Sequence, residues 1–528
     1  MSLQCKLSRE VPPDTAKLGQ TLYPPESLHR QIGDRLQELL PGEEEFGFLY
    51  AKTGRNAISP LMLSLVLIFQ FLERVPDRQA AEMVVSRIDW KYACHLPLTY
   101  KGFDFTDLHA FRERLKAHGQ ERLVFEGLLE RLKGLGLVRA RGRVRTDSTH
   151  VVAVVADLSQ LELVQESIRV ALLAAVGAGG DWADGALPPS FQEQYQERQS
   201  LYGLSQAQVR QGLEKGGKDG FWLLEQLDQA PVGAVRQLRE VKVLRQVLGQ
   251  QYPEGPEAGP VSKRPASKEV IASPHDSEAR RGSKRGHHWT GYKAQISETC
   301  EEDLPRLIVD LEVTGALDND APQLPLIQER LGQREVMPAE HLVDRGYMSG
   351  ANIARSHDQG IELVAGALQD TGGPEGFRQA DFDIDEEGHQ ATCRAGHSSS
   401  FWSESLTEGG LIEVKLRFGA HFCRECGFFG RCTTSPQGRS LTLHPYRHLL
   451  QGHREQAASD QYRDRLKLRV GVESTISEAT RGHGLRQARY RGRQGAQLQA
   501  SFTAAAIDLK RVARWWAHQA RQAKDQTA

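Results

Sequence analysis

Long apolar runs are missing from this 528-residue chain. The longest, Leu61 to Leu72, is about 12 residues and is interrupted by Ser64 and Gln70. A membrane span needs ~20 residues, so the run predicts a buried helix and no membrane partner. Cysteine is scarce. Seven in the whole chain are too few for a disulfide scaffold. The opening MSLQCKLSREVPPD is polar and carries no secretory signal, so a reducing cytoplasm is expected. Net charge is missing too: 67 Lys and Arg stand against 68 Asp and Glu. The balance as a whole makes no case for nucleic acid or membrane, and any such case must rest on local clusters. No internal repeat is visible. What remains, at 39% hydrophobic and 26% charged, is a globular chain with room for three or four domains at ~150 residues each.

Positive charge is concentrated. Gln461 to Ala528 holds 14 Lys and Arg against 5 Asp and Glu, a local net of +9. A second run, Arg131, Lys133, Arg139, Arg141, Arg143 and Arg145, contains no acid, and a third is Arg280, Arg281, Lys284 and Arg285. One such run alone reads as a solvated face. Lying beside the best catalytic candidates, the runs point to phosphate contacts and a groove leading to the site.

Residues 25 to 135 read as helical. Ser59-Pro60 gives an N-cap and a first-turn proline, Asp77 caps a second helix, and Thr106 and Asp107 open a third. From Gly136 the Val-rich LVRARGRVRTDSTHVVAVVAD alternates and predicts a strand. Leu158 to Gly177 returns to helix, and Gly203 to Gly249 predicts helices broken around Gly216 to Gly220. Pro253 to Gly286 predicts an exposed linker. HWTGYKAQISET, RLIVDLEVTGA, EHLVDRGY and IELVAGAL predict strands, with helices at PQLPLIQERLGQ and Ser349 to Gly360 between them. Residues 370 to 450 read as short and β-like, 455 to 482 as helical, and LQASFTAAAIDLKRVARWWA as a closing amphipathic helix. With the stretches after Asp157 and after Leu368 set aside, three strands are followed by alternating helices and strands. That α/β order predicts a ribonuclease H-like core.

Three carboxylates stand out. Asp147 is expected to end the first core strand and Asp344 the fourth, while Glu473 lies on the helix LRVGVESTISEATRG. Phosphodiester chemistry needs hard oxygen ligands for two magnesium ions ~3.5–4 Å apart. An Asp at the end of a buried strand is desolvated unless it is paired or metal-bound. Glu478 lies five residues beyond Glu473, ~140° round a helix, so the two cannot face the same metals.

At these residues the chain resembles a family. GRNAISPLMLSLVLIFQFLERVPDRQAAEMVVSRIDWKYACHLPL, TDSTHV, HHWTGYK, HLVDRGY and RVGVESTISEATRGHGLRQARYRG are similar, in order, to blocks of bacterial insertion-sequence transposases of the DDE type. LQASFTAAAIDLKRVARWWA resembles that family's closing helix, so the likeness runs from about Ser27 to Trp516. The resemblance implies catalytic Asp147, Asp344 and Glu473, the glutamate being chosen because it follows a Gly-Val pair. It implies two magnesium ions and a DNA-contacting Arg469 one turn before the glutamate. The family's Tyr and Lys positions are Leu466 and Thr480 here, with Arg481 next, which departs from the pattern. Arg486, Arg489, Tyr490, Arg491, Arg139, Arg141 and Arg143 join Arg481 as DNA-binding candidates, the arginines for phosphates and the tyrosine for stacking. Trp289 and Tyr292 suit either the DNA path or the core. His287 and His288 point to opposite faces of a strand and do not suit joint ligation.

Cys393, Cys423, Cys426 and Cys432 fall within 40 residues, and Cys423-x-x-Cys426 is a chelating spacing, so a structural zinc is expected. His397 and His421 are alternative ligands. The resulting division has a helical DNA-binding domain at 1–135 and a catalytic core from 136–157, 286–368 and 453–528. A helical insertion and linker occupy 158–285, and a cysteine-containing insertion occupies 369–452. The expected partner is double-stranded DNA, both element ends and target, bound by a homodimer or larger assembly in the bacterial cytoplasm at the nucleoid. Two other functions are compatible with the sequence: a non-catalytic DNA-binding descendant, and a nuclease without strand transfer.

Overall fold

The computed structural model describes residues 2–3, 7–155, 158–199, 201, 203–231, 233–262, 269–284, 286–370, 372–407 and 410–527. Cys5, Asp157 and Arg285, which entered the sequence reading, lie outside the described residues. The fold is mixed α/β. Its centre is a six-stranded sheet of β1 (Arg143–Val152), β2 (Arg280–Lys284), β3 (His287–Thr299), β4 (Ile308–Gly315), β5 (Glu340–Val343) and β6 (Glu362–Val364). The order is β4–β3–β1–β5–β6, with β2 also paired to β3. β4, β3 and β1 are antiparallel neighbours, whereas β5 and β6 run parallel to β1. The connections into the parallel strands carry the helices Gln323–Gln333 and Gly350–Asp358, as parallel pairing requires.

The Pro60–Glu73 helix forms as its sequence predicts. The Ser59 hydroxyl accepts the Met62 N–H at 3.0 Å, and the apolar run behind it is buried. Asp77 differs from expectation. It is the first residue of the next helix rather than its cap, and its carboxylate instead accepts from Arg112 Nη1 at 3.1 Å. The helical region does not bury its own separate core. Leu65, Phe69 and Leu128 share one cluster with Leu307, Val343 and Leu363 of the sheet layer and Phe502 of the closing helix.

The closing helix, Arg493–Thr527, lies between sheet and helices. Ala496, Ala500, Ala504 and Ile507 pack on the sheet, and Leu498, Phe502 and Leu509 pack on the helical region. It also covers the outer edge of β4. Asp508 accepts the Ile308 N–H at 2.9 Å, and the Gln497 amide accepts from Val313 N–H at 2.8 Å and donates to Leu311 O at 3.0 Å. An edge strand left bare would present unpaired backbone groups.

Two stretches depart from their predicted form. Gly216 to Gly220 do not break a helix, because Gln206–Asp228 runs straight through them. A Cβ at Gly217 would come within 2.7 Å of the Tyr252 ring, and one at Gly220 within 2.9 Å of Leu248. The glycines permit close packing in a bundle whose core includes Ile168, Leu172, Leu223 and Leu244. Pro253 to Gly286 is likewise not wholly an exposed linker. Its end forms β2, and Asp276 is fully buried, accepting from Tyr292 Oη at 2.6 Å and Gly492 N–H at 3.0 Å.

The cysteine-containing insertion has two small sheets. β7 (Asp383–Asp385) pairs with β8 (Gln390–Thr392), and β9 (Ser399–Leu406), β10 (Ile412–Phe418) and β11 (Ser440–Leu443) pair in the order β11–β10–β9. Val414, Leu416, Phe418 and Leu441 supply its core.

Candidate active site

Asp147 does not end β1, as its sequence neighbourhood suggested. It lies in the middle of that strand, at the level where the parallel neighbour β5 stops. Thr146 is the register partner of Val343, so Asp147 and Asp344 occupy the next position on adjacent parallel strands. Asp344 then begins the short turn Arg345–Tyr347 and is exposed. β1 continues past β5, and its free edge is met by the segment after the catalytic-candidate helix: Val152 N–H donates to Arg486 O and Ala488 N–H to Val152 O, both at 2.8 Å.

Glu473 sits in the first turn of the helix Val472–Ser477, brought to Asp147 by Arg469. Arg469 Nη1 is 3.1 Å from Asp147 Oδ2, and Nη2 is 3.3 Å from Glu473 Oε1. One guanidinium therefore lies between two carboxylates that are 326 positions apart in the chain. Burial raises the Asp147 pKa, opposed by the Ser148 N–H bond at 2.7 Å and by Arg469 and reinforced by the nearby Asp344 charge; Lys284 is close enough to oppose it as well. Under the acids, Thr146 Oγ1 lies 2.7 Å from both Ser297 Oγ and His341 Nε2. Burial lowers the His341 pKa to about 4, so the ring is neutral there.

Glu478 faces elsewhere. Burial acts to raise its pKa, but His483 at 3.9 Å, the paired Lys510 and Arg511, whose Nη2 donates to it at 2.8 Å, outweigh that and hold the carboxylate far below the usual range.

The other predicted contacts divide sharply. Arg481 and Arg491 are exposed. Arg486 is half-buried and donates to His150 O. Arg489 turns inward: it donates to Val75 O at 2.9 Å and lies 5.0 Å over the Phe71 ring. Tyr490 is packed beneath the Arg112 guanidinium at 4.8 Å, and burial pushes its pKa up to about 12. Both are fastened to the helical region, not presented to solvent. Trp289 and Tyr292 are buried, and Tyr292 belongs to the core cluster on the sheet.

The Arg131 to Arg145 run does not form an open basic groove to the site. Arg139, Arg141 and Arg143 lie at or before the start of β1, whereas Asp147 is in its middle. Arg139 pairs with Asp303, Arg143 with Glu301 at 3.6 Å, Arg131 with Glu45 and Lys133 with Glu335 at 2.9 Å; Arg141 donates to Gly360 O. Every partner but the near neighbours is remote in sequence, so the run looked uncompensated only when read locally.

Sequence reasoning missed Lys293 and Asp320, 3.4 Å apart, with Gln295 Nε2 also 3.4 Å from Asp320. It missed as well the Arg145–Glu298 pair beside the acids. Their register, Arg145 opposite Glu298, needed the strand pairing to be seen.

The four insertion cysteines do come together, around a cavity of about 30 Å³ with Phe377, Phe418 and Phe428. Cys426 Sγ accepts the Phe428 N–H at 3.5 Å and Cys423 Sγ the Arg439 N–H at 3.4 Å. Among the described residues, no group of three or more His, Cys, Asp or Glu side chains is gathered closely enough, as it stands, to hold a metal ion. That applies to the cysteines and to the acidic triad alike. Among the same residues, no helix is long and apolar enough to cross a membrane.

Comparison with family models supports a transposase or nuclease class of enzyme. A family model described as a transposase DDE domain matches residues 392–513, and one described as a transposase domain matches residues 20–114. Together they indicate an insertion-sequence transposase of the DDE type. The matched stretches contain Glu473 and the cysteines; Asp147 and Asp344 lie outside both. No curated protein and no solved structure matches the chain.

Proposed function

We propose that this transposase binds the terminal inverted repeats of its element as a dimer or larger assembly, hydrolyses a phosphodiester to free a 3′-OH, and uses that 3′-OH to attack target DNA. The single observation that carries the reading is the convergence of Asp147, Asp344 and Glu473: two acids at one level of adjacent parallel strands, the third tied to the first through Arg469. The strand order, three antiparallel strands then two parallel ones, is the order expected of a ribonuclease H-like core and supports it. So does the engagement of Glu478 with Lys510 and Arg511, which makes it the poorer candidate of the two glutamates.

The donor set suits magnesium in kind: hard carboxylate oxygens, two of them already flanking one cationic group. Asp147, Asp344 and Glu473 would hold the two ions, which supply Lewis-acid activation of the nucleophile and stabilisation of the leaving oxygen. The chain's own contributions are positional. Arg469 holds Asp147 and Glu473 together, and its guanidinium is suited to a phosphate once those carboxylates are engaged. Exposed Arg481 and Arg491, on the segment following Glu473, contact the DNA backbone. End cleavage of labelled element-terminal duplexes in magnesium tests the reading, and no nicking by the wild-type protein on its own element ends would oppose it.

The two inner and outer arginines should separate cleanly. Arg491→Ala is expected to lower the slope of log affinity against log salt by roughly one, without changing the unfolding midpoint. Arg489→Ala should leave the slope alone and cost about 1–3 kcal/mol of stability, since it loses an arginine–aromatic contact and a charged hydrogen bond. Filter-binding at several salt concentrations and a denaturant titration check the pair.

We also propose that the four cysteines close on one zinc ion. All four line the same cavity, two of them accept backbone N–H bonds, and a set of four cysteine sulfurs suits tetrahedral zinc. Closure requires the side chains to draw together. Metal analysis of protein purified without chelator is expected to find about one zinc per chain, and Cys423→Ser should abolish it. Zinc-free wild-type protein with an unchanged melting temperature would remove the claim.

A further inference from the structure

Beside the acids lies a second cluster that the reaction does not use directly. Arg145 and Glu298 are register partners on β1 and β3, and both are almost completely buried. Arg145 is two residues before Asp147, so the two side chains leave the same face of β1. Arg145 Nε donates to Glu298 Oε1 at 2.7 Å, while its Nη1 donates to Leu468 O at 2.6 Å. The other Glu298 oxygen accepts from Thr475 Oγ1 at 2.5 Å and from Arg511 Nη1 at 2.9 Å. Arg511 Nη2 in turn donates to Thr475 Oγ1 at 2.6 Å. Thr475 is two residues after Glu473. The chain of bonds thus starts on the Asp147 strand, holds the end of the preceding helix at Leu468 O, crosses to β3, holds the Glu473 helix at Thr475, and ends on the closing helix.

Gly471 fits this arrangement. A Cβ there would fall 1.9 Å from Arg145 Nη1, so the glycine of the Gly-Val pair is what lets the guanidinium pass beneath the turn. Its backbone is ordinary right-handed helix, so the requirement is one of space and not of conformation. A buried ion cluster is no cheap source of stability, because desolvation offsets most of its Coulomb energy. Its return here is geometry.

We infer that Glu298, with Arg145, Thr475 and Arg511, is a positioning element that fixes Glu473 against Asp147, making the closing helix part of the active-site assembly. The inference rests on the reading of Asp147 and Glu473 as metal-holding groups. It is tested on the full chain, without DNA, by measuring Mn2+ affinity through the electron paramagnetic resonance signal of free Mn2+. Thr475→Val, which keeps the shape and removes the hydroxyl, is expected to weaken Mn2+ binding about 10–100-fold, the usual consequence of losing an outer-shell partner. Thr475→Ser should restore it. Gly471→Ala, which displaces Arg145, should weaken it similarly and serves if Thr475→Val does not fold. Arg330→Ala, which breaks the separate buried pair with Asp310, should lower the unfolding midpoint and leave Mn2+ affinity unchanged. If Glu473→Gln weakens Mn2+ binding but Thr475→Val and Gly471→Ala bind as the wild type does, the positioning role is overturned and the metal reading stands. If Glu473→Gln itself leaves Mn2+ affinity unchanged, the metal reading of Glu473 fails, and the positioning role with it.

Discussion

Asp147→Asn, Asp344→Asn and Glu473→Gln are each expected to lower end cleavage by about a thousandfold or more, several kcal/mol of transition-state stabilisation, while leaving end binding within a few fold. The amide keeps the volume and most hydrogen bonding of the carboxylate but removes the charge that attracts magnesium. Asp147→Asn and Glu473→Gln also remove one carboxylate from the Arg469 bridge, so neither variant gains a buried unpaired acid. Glu478→Gln should behave differently. It loses its pairing with Lys510 and Arg511, so its cost falls on stability, with cleavage per folded molecule retained. Single-turnover cleavage normalised to the folded fraction separates the two glutamates. An active Glu473→Gln beside an inactive Glu478→Gln would reverse the assignment.

The largest stability effect is expected at Asp310, which no catalytic argument touches. It is fully buried on β4 and accepts from Arg330 Nη2 at 2.6 Å and Arg334 Nη1 at 2.8 Å, with Arg122 at 3.6 Å. Asp310→Ala leaves these guanidinium groups without their shared acid, and breaking a buried pair from one side costs about 3–5 kcal/mol. Burial acts to raise the Asp310 pKa, but Arg330, Arg334 and Arg122 outweigh it and hold the carboxyl below its ordinary value. A depressed folded-state pKa gives stability that is present above the unfolded value, near pH 4, and is lost as pH falls through the folded value. Denaturant titrations should therefore show the wild-type advantage over Asp310→Ala at pH 7 shrinking on acidification below about pH 4. An advantage that is constant with pH would mean the cost is one of packing alone.

Much of the candidate site's placement was legible in the sequence because its signals are local. A Val-rich alternating stretch around Asp147 and a short buried run before Asp344 placed both acids on strands, and a Gly-Val pair marked Glu473. What alternation does not give is register, and so Asp147 was assigned to a strand end when it lies mid-strand, level with the end of β5. The same limit hid Glu298 opposite Arg145. Charge was misread for a related reason. The Arg131 to Arg145 run has no acid within it, but its partners Glu45, Glu301, Asp303 and Glu335 come from other parts of the chain. Arg489 and Tyr490 belong to a basic stretch, yet the helical region with Phe71 and Arg112 closes over them. Gly216 to Gly220 resembled a break because glycine is a poor helix former, while Tyr252 and Leu248 needed the space that a Cβ would fill.

The central claim, that the triad joins DNA and does not merely cut it, is tested most directly by strand transfer with pre-cleaved element ends. Duplexes carrying the terminal repeat and a recessed 3′-OH are incubated with protein, magnesium and a plasmid target. The account predicts joined products that depend on the 3′-OH and vanish in Asp147→Asn, Asp344→Asn and Glu473→Gln. Nicking of uncleaved ends with no joined product from pre-cleaved ones would contradict it and leave a nuclease.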